Sequence, residues 1–202
     1  MNRTASGAVL VLLAGLGLGA TYLAQHVTAA RIENQRQAVE NHRLLDLLPP
    51  SSFDNAPMQQ PITLANPVLG HSQLLGAYRA TREGRPVAVL LRTQVTGYAG
   101  AIELLLAIDA NGRLLGVKTL RQTETPGLGA RIAEWPNAWL QGFTGMSSTA
   151  PADKQWALKK DQGSFDQLAG ATITSRAAIE AIHDGLRYFD EHRLALLGES
   201  TP

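Results

Sequence analysis

The chain opens on a block with almost no polar positions. Ala5–Ala24 (ASGAVLVLLAGLGLGATYLA) carries no charge, and its only hydroxyls are on Ser6, Thr21 and Tyr22. At a helical rise of ~1.5 Å per residue the block reaches ~30 Å, the thickness of a bilayer's hydrocarbon layer. Lipid offers the backbone no hydrogen-bond partner, so such a block must pair its own amides, which predicts a helix. The run is longer than the apolar region of a signal peptide, and no clean A-x-A site follows. The reading is therefore an uncleaved transmembrane helix over 5–24, with 1–4 as a short flank. Charges on the two flanks nearly balance, Arg3 and the amino group against Arg31 and Arg36. Gly15 and Gly19 make a small-xxx-small pair, which suits helix pairing, though the ordinary abundance of small residues in membrane helices is the plainer account.

The pattern then changes twice. His26–Leu48 sets Val27, Ile32, Val39, Leu45 and Leu48 among charges, without Gly or Pro, and predicts a helix leaving the membrane and ending at Pro49-Pro50. Ser51–Gly70 is rich in Pro, Asn, Gln and Ser and reads as a linker, so 25–70 is taken as a membrane-proximal helix and linker. Strand patterning begins at Gln73. It predicts strands over 73–80, 87–94, 101–110 and 113–120, with turns at Glu83-Gly84-Arg85-Pro86 and Asn111-Gly112. This is an antiparallel meander. Pro126-Gly127-Leu128-Gly129 breaks it. Short helical turns are expected over 130–135 and 136–142, a polar loop over 145–153 and a short strand over 155–159. Ile179, Ile182, Leu186 and Phe189 fall on one face at a period of 3.6 and predict a final helix, with Thr174 or Ser175 as its N-cap. The fold class is α+β: an N-terminal transmembrane helix, then one domain over 71–194 with a twisted antiparallel sheet flanked by helices, and a tail over 195–202.

Charge and composition narrow the chemistry. Lys and Arg number 18 against 17 Asp and Glu, a net charge of +1. Phosphate neutralisation needs a basic excess, so no nucleic-acid partner is expected. Cysteine is absent, which excludes disulfides, thiolate nucleophiles and Cys-held metal or iron–sulfur centres. The five histidines are scattered, and His183 and His192 stand too far apart for one metal face; they read as solvated, with no metal site. There is no HExxH, GxSxG or P-loop, and no catalytic acid, base or nucleophile is nominated.

One segment carries chemistry. In Asp166-Gln167-Leu168-Ala169-Gly170-Ala171-Thr172, Gly170 and Ala171 remove bulk beside the Thr172 hydroxyl. The helix beginning just after aims free N–H groups and a partial positive charge at the same place, which suits a phosphate. From local chemistry alone, a glycine turn followed by an ordinary Thr/Ser cap is the plainer account. Thr174 is a rival hydroxyl on the same stretch. Lys159 and Lys160 could meet a phosphate or simply end a solvated strand. Trp156 could stack on a ring or be buried in the core. Glu124 could touch a ligand or partner, or stabilise its own loop.

That heptapeptide resembles the flavinylation motif D-x-x-[ST]-G-A-[TS] of FMN-binding domains, with Ala169 where a hydroxyl residue is usual. Glu124-Thr125-Pro126-Gly127-Leu128-Gly129 resembles the ETPGLG loop of one branch, Gly97-Tyr98-Ala99-Gly100 its GYxG turn, and 156–161 (WALKKD) the approach to its flavin site. With one N-terminal span, this looks like the family of G subunits of Rnf-type ion-translocating electron transport complexes. The resemblance implies FMN held through a phosphoester to Thr172 by a flavin transferase. It also implies that Gly170, Ala171, Thr174, Glu124, Thr125, Gly127 and Leu128 lie around the cofactor. The chain would be a redox subunit of a translocase, without turnover of its own, passing electrons between membrane and iron–sulfur subunits with ferredoxin and NADH at the ends. It would sit in the bacterial inner membrane, in contact with lipid, with 1–4 cytoplasmic and the domain periplasmic. A membrane-anchored FMN sensor or regulator, an unmodified scaffold, and the C subunit of a sodium-pumping NADH:quinone reductase are the alternatives.

Overall fold

The computed structural model describes residues 45–49, 51–64 and 67–198, together with Leu13, Gly15 and Gly17, which are helical. The expected membrane span over 5–24, and the expected helix over 26–48 up to residue 44, otherwise lie outside the described residues. Among the described residues no helix is long and apolar enough to cross a membrane.

The described residues from Leu45 onward form one compact unit. Its frame is a five-stranded antiparallel sheet in sequential order: β1 (Pro61–Ile62), β2 (Ser72–Arg82), β3 (Arg85–Thr96), β4 (Ala101–Asp109) and β5 (Leu114–Arg121). The four strands read from the pattern are these last four, each within three residues of its expected ends. Arg82 pairs with Arg85 across Glu83 and Gly84, both at positive φ (52° and 73°), the backbone that matches the twist of a two-residue hairpin. At the hairpin between β4 and β5, Asp109 Oδ1 accepts from the N–H groups of Asn111 and Arg113, both at 2.8 Å.

The long helix α2 (Thr172–Glu191) lies on one face of the sheet. Ile179, Ile182, Leu186 and Phe189 are all buried there against Val89, Leu91, Leu104, Leu106 and Ile108. The short helix α1 (Ala138–Gln141) and α3 (Arg193–Leu197) join the same layer, through Leu140, Leu196 and Leu197. The expected tail thus packs on the core as far as Leu197. Arg79 holds α3 in place, donating from Nε to the Leu196 carbonyl at 2.6 Å and from Nη2 to that of Ala195 at 3.0 Å.

The opposite face is covered too. Ala88, Leu90, Leu105 and Ala107 point away from α2 and meet Leu47, Leu48, Phe53 and Met58. Leu45–Leu47 is a single 3-10 turn, and the stretch taken as a linker contains a second one, Pro57–Gln59, and then β1. The stretch read as a linker thus carries local structure of its own. Burial on both faces explains why β4 runs almost unbroken as Ile102, Leu104, Leu105, Leu106, Ala107 and Ile108, without the alternation of a half-buried strand. The stretch 155–159 is not a strand. It spans the ends of two 3-10 turns, Asp153–Gln155 and Lys159–Asp161, and Leu158 makes one isolated parallel bridge to Phe165.

Candidate functional site

The first turn of α2 and the loop after β5 close a cleft of about 290 Å³. Its walls are Tyr98, Glu124, Thr125, Leu128, Gly129 and the run from Gly170 to Thr174. The cleft therefore unites Thr172 with every residue singled out around it except Gly127. That glycine is outside the lining, and Gly129 takes its place. Gly127 still shapes the loop, at φ 76°.

Glu124 organises the floor. It is 5% exposed, and each carboxylate oxygen has a donor. The Thr174 hydroxyl donates to Oε2 at 2.5 Å and the Ala99 N–H to Oε1 at 3.0 Å. Gly129 makes room for this: a Cβ there would stand 2.5 Å from Glu124 Oε2 and 2.6 Å from Thr174 Oγ1.

Thr174 is consequently not the helix cap. The helix starts at Thr172, its N-cap is Ala171, and that residue offers no side-chain acceptor. Ser175 does not cap it either; its hydroxyl donates to the Ala171 carbonyl and accepts from the Leu168 N–H. The first-turn amides are thus left without a side-chain cap, beside the cleft.

Thr172 stands at this end with its hydroxyl in a defined setting. Lys160 Nζ donates to Thr172 Oγ1 at 2.8 Å, and Oγ1 donates to Gln167 Oε1 at 2.8 Å. Lys159 is turned elsewhere, paired with Asp166 at 2.7 Å. Arg176 grips Asp161 with two hydrogen bonds, and that contact holds the Asp161 carboxyl below its ordinary value. Gly170 lies at φ 72°, with Leu128 Cδ2 2.7 Å from where its Cβ would be. Ala169, the departure from the motif, is exposed, so a hydroxyl there would meet solvent.

Three residues of the cleft present apolar surface to solvent: Tyr98 (69% exposed), Leu128 (44%) and Ile173 (49%). Tyr98 and Ile173 were not among the residues nominated from sequence. The GYxG turn was the available signal for Tyr98; Ile173 had none. Trp156 is in the core, stacked with Phe143 and His183. Two histidines depart from the solvated reading. His183 lies flat on Trp156, with ring centroids 4.7 Å apart, and burial pushes its pKa down. His192 stacks on Tyr188 at 4.1 Å.

The cleft thus combines an apolar rim, a buried carboxylate and a hydroxyl beside a cation. The FMN-binding domain family matches residues 97–187, the stretch that contains the cleft. The chain is 46% identical over 191 residues to the G subunit of the ion-translocating oxidoreductase complex of Pseudomonas aeruginosa, covering 94% of this chain and 89% of that one. It is 37% identical over 199 residues to the Vibrio cholerae protein of the same name, covering 98% and 95%. The chain belongs to this family, the G subunits of Rnf-type ion-translocating oxidoreductase complexes. Among solved structures it is similar to the C subunit of the Na(+)-translocating NADH-quinone reductase from Parabacteroides distasonis, with a TM-score of 0.47 and 22% identity, over 64% of this chain and 65% of that one.

Proposed function

We propose that this chain is the electron-carrying flavoprotein subunit of a membrane-bound ion-translocating oxidoreductase, with FMN joined through its phosphate to Thr172 Oγ1. The observation that carries the reading is the setting of that hydroxyl, fixed by Lys160 and Gln167 at the mouth of the cleft. Lys160 and the uncapped first turn of α2 suit a phosphate. Tyr98, Leu128 and Ile173 offer the apolar surface a flat ring system needs, and Gly170 and Ala171 keep the approach to Oγ1 clear. Thr125 and Gly127 shape the loop that forms the opposite wall. Bound FMN supplies one- and two-electron transfer, and the protein's part is to hold it and set its surroundings.

The burial of Thr174 favours Thr172 as the attachment residue. Thr174 is 1% exposed and its hydroxyl is committed to Glu124, whereas Thr172 is partly open. Attachment calls for a separate flavin transferase. The remaining subunits of an Rnf-type complex, ferredoxin- and NADH-linked at its ends, would donate and accept the electrons, so the chain has no turnover of its own. A single span over 5–24 would anchor it in the bacterial inner membrane with the domain on the periplasmic side.

The test is to produce the full chain with a flavin transferase and look for flavin fluorescence in the denatured band. Thr172→Val keeps the side-chain shape and removes the oxygen. It should abolish the fluorescence, and peptide mass analysis of the unmutated chain should place the FMN on Thr172. Flavin retained in Thr172→Val, or found on Thr174, overturns the assignment.

A further inference from the structure

We infer that Lys160 and Gln167 act as a two-point cradle at Thr172, Gln167 aiming the hydroxyl and Lys160 supplying the counter-charge for the phosphate that joins it. This rests on the reading of Thr172 as the flavin-bearing residue. Three cations lie along the segment, and two are already neutralised: Lys159 by Asp166, Arg176 by Asp161. Among the described residues Lys160 has no carboxylate within ion-pair distance, and its ammonium rests on Thr172 Oγ1 instead. Its charge is therefore the one left for an anion arriving at that oxygen.

The hydroxyl geometry agrees. A hydroxyl oxygen carries one hydrogen and two lone pairs. At Thr172 the hydrogen is directed to Gln167 and one lone pair to Lys160, which leaves the other lone pair for a phosphorus atom. Among the described residues no carboxylate contacts this hydroxyl. Glu124 is committed to Thr174 and Ala99, and Asp161 and Asp166 hold cations. The acceptor at Thr172 is a neutral amide oxygen, which orients a proton and does not keep it. The base must come from the transferase.

In the attachment step, Thr172 Oγ1 forms a bond to the flavin phosphorus of a donor that carries its phosphate in a pyrophosphate linkage. The bond from that phosphorus to the bridging oxygen breaks. The nucleoside monophosphate leaves with the electron pair, and the hydroxyl proton passes to the transferase base. Nothing is oxidised or reduced. As phosphorus approaches, the flexible Lys160 side chain moves from Oγ1 to a phosphate oxygen and stays beside the single negative charge of the diester.

The experiment follows attachment in vitro by intact mass, using the full chain, a purified flavin transferase and a flavin pyrophosphate donor. Lys160→Gln should lower the rate at saturating chain by about tenfold or more, the scale of losing a charge-assisted hydrogen bond. Its KM should be nearly unchanged, and the unmodified protein should melt like wild type. Lys160→Arg should restore most of the rate, and Lys159→Gln should stay within about twofold of wild type, since surface ion pairs contribute little. Added salt should slow wild type more than Lys160→Gln, because the charge it screens is gone in the variant. Gln167→Ala should slow attachment without altering that salt response. A wild-type rate in Lys160→Gln, an equal loss in Lys159→Gln, or a loss confined to KM overturns the inference. If adduct still forms on Thr172 in those cases, only the cradle fails. If wild type carries no flavin, or carries it elsewhere, the reading of Thr172 falls and the cradle with it.

Discussion

The Thr174 hydroxyl donates to Glu124 Oε2 at 2.5 Å, joining the first turn of α2 to a loop 50 positions earlier in the chain. This contact fixes the two walls of the cleft relative to each other. Thr174→Val leaves a nearly buried carboxylate oxygen without its donor and should cost about 1–3 kcal/mol. Thr174→Ser should recover most of that. Urea unfolding reads the outcome: the midpoint should fall with the slope unchanged. A Val variant as stable as wild type would mean that the hydroxyl does not hold the loop.

Gly170→Ala is expected to strain the approach to Thr172. The residue sits at φ 72°, where a Cβ costs about 1–2 kcal/mol, and the added carbon would meet Leu128. Thermal melting should show a loss of that order. Flavin attachment should fall further than Ala169→Ser changes it, because Ala169 is exposed to solvent.

Ile182→Asp places an unpaired carboxylate at a fully buried position against the sheet. A loss of at least about 3 kcal/mol is expected, enough to unfold a marginal domain. Circular dichroism at increasing urea checks this. Ile182→Val should cost only about 0.5–1.5 kcal/mol.

Stability should fall as pH drops below about 6.5, in part through His183. Burial on Trp156 lowers its pKa in the folded state, against the favourable Ser148 carbonyl and Asp153, with Arg187 adding to the lowering and Asp184 opposing it. The unfolded chain then binds a proton that the folded chain resists. Stability is complete above the ordinary histidine value and is lost as pH falls toward the folded one. His183→Phe keeps a flat ring on Trp156 and removes the titration. Melting temperatures measured between about pH 7 and about pH 5 should drop less in that variant than in wild type.

Much of the sheet and of α2 was legible because periodicity reports burial directly. Ile179 to Phe189 lie on one face, and the Glu83-Gly84 and Asn111-Gly112 signals sit at real turns. What escaped lay where burial comes from a distant partner. Nothing local in Phe53 or Met58 shows that the segment will cover the back of the sheet. The helix start was misplaced because Thr174 and Ser175 look like caps, while their hydroxyls are drawn to Glu124 and the Ala171 carbonyl. His183 and His192 are ordinary by spacing, and only the fold brings Trp156 and Tyr188 beneath them. At the cleft, the motif pointed to Thr172 and its neighbours. It could not separate Lys159 from Lys160, because adjacent residues diverge only once the 3-10 turn Lys159–Asp161 has formed.

The double-sided sheet also determines where the chain can be cut. A fragment beginning near His71 would remove Leu47, Leu48, Phe53 and Met58 and leave Leu90 and Leu105 facing water, together with an edge strand stripped of β1. An uncovered apolar patch beside an open strand edge is a template for aggregation. A fragment beginning at Leu44 retains the cover. Expressed side by side, the longer piece should remain monomeric in solution and the shorter one should precipitate or form oligomers.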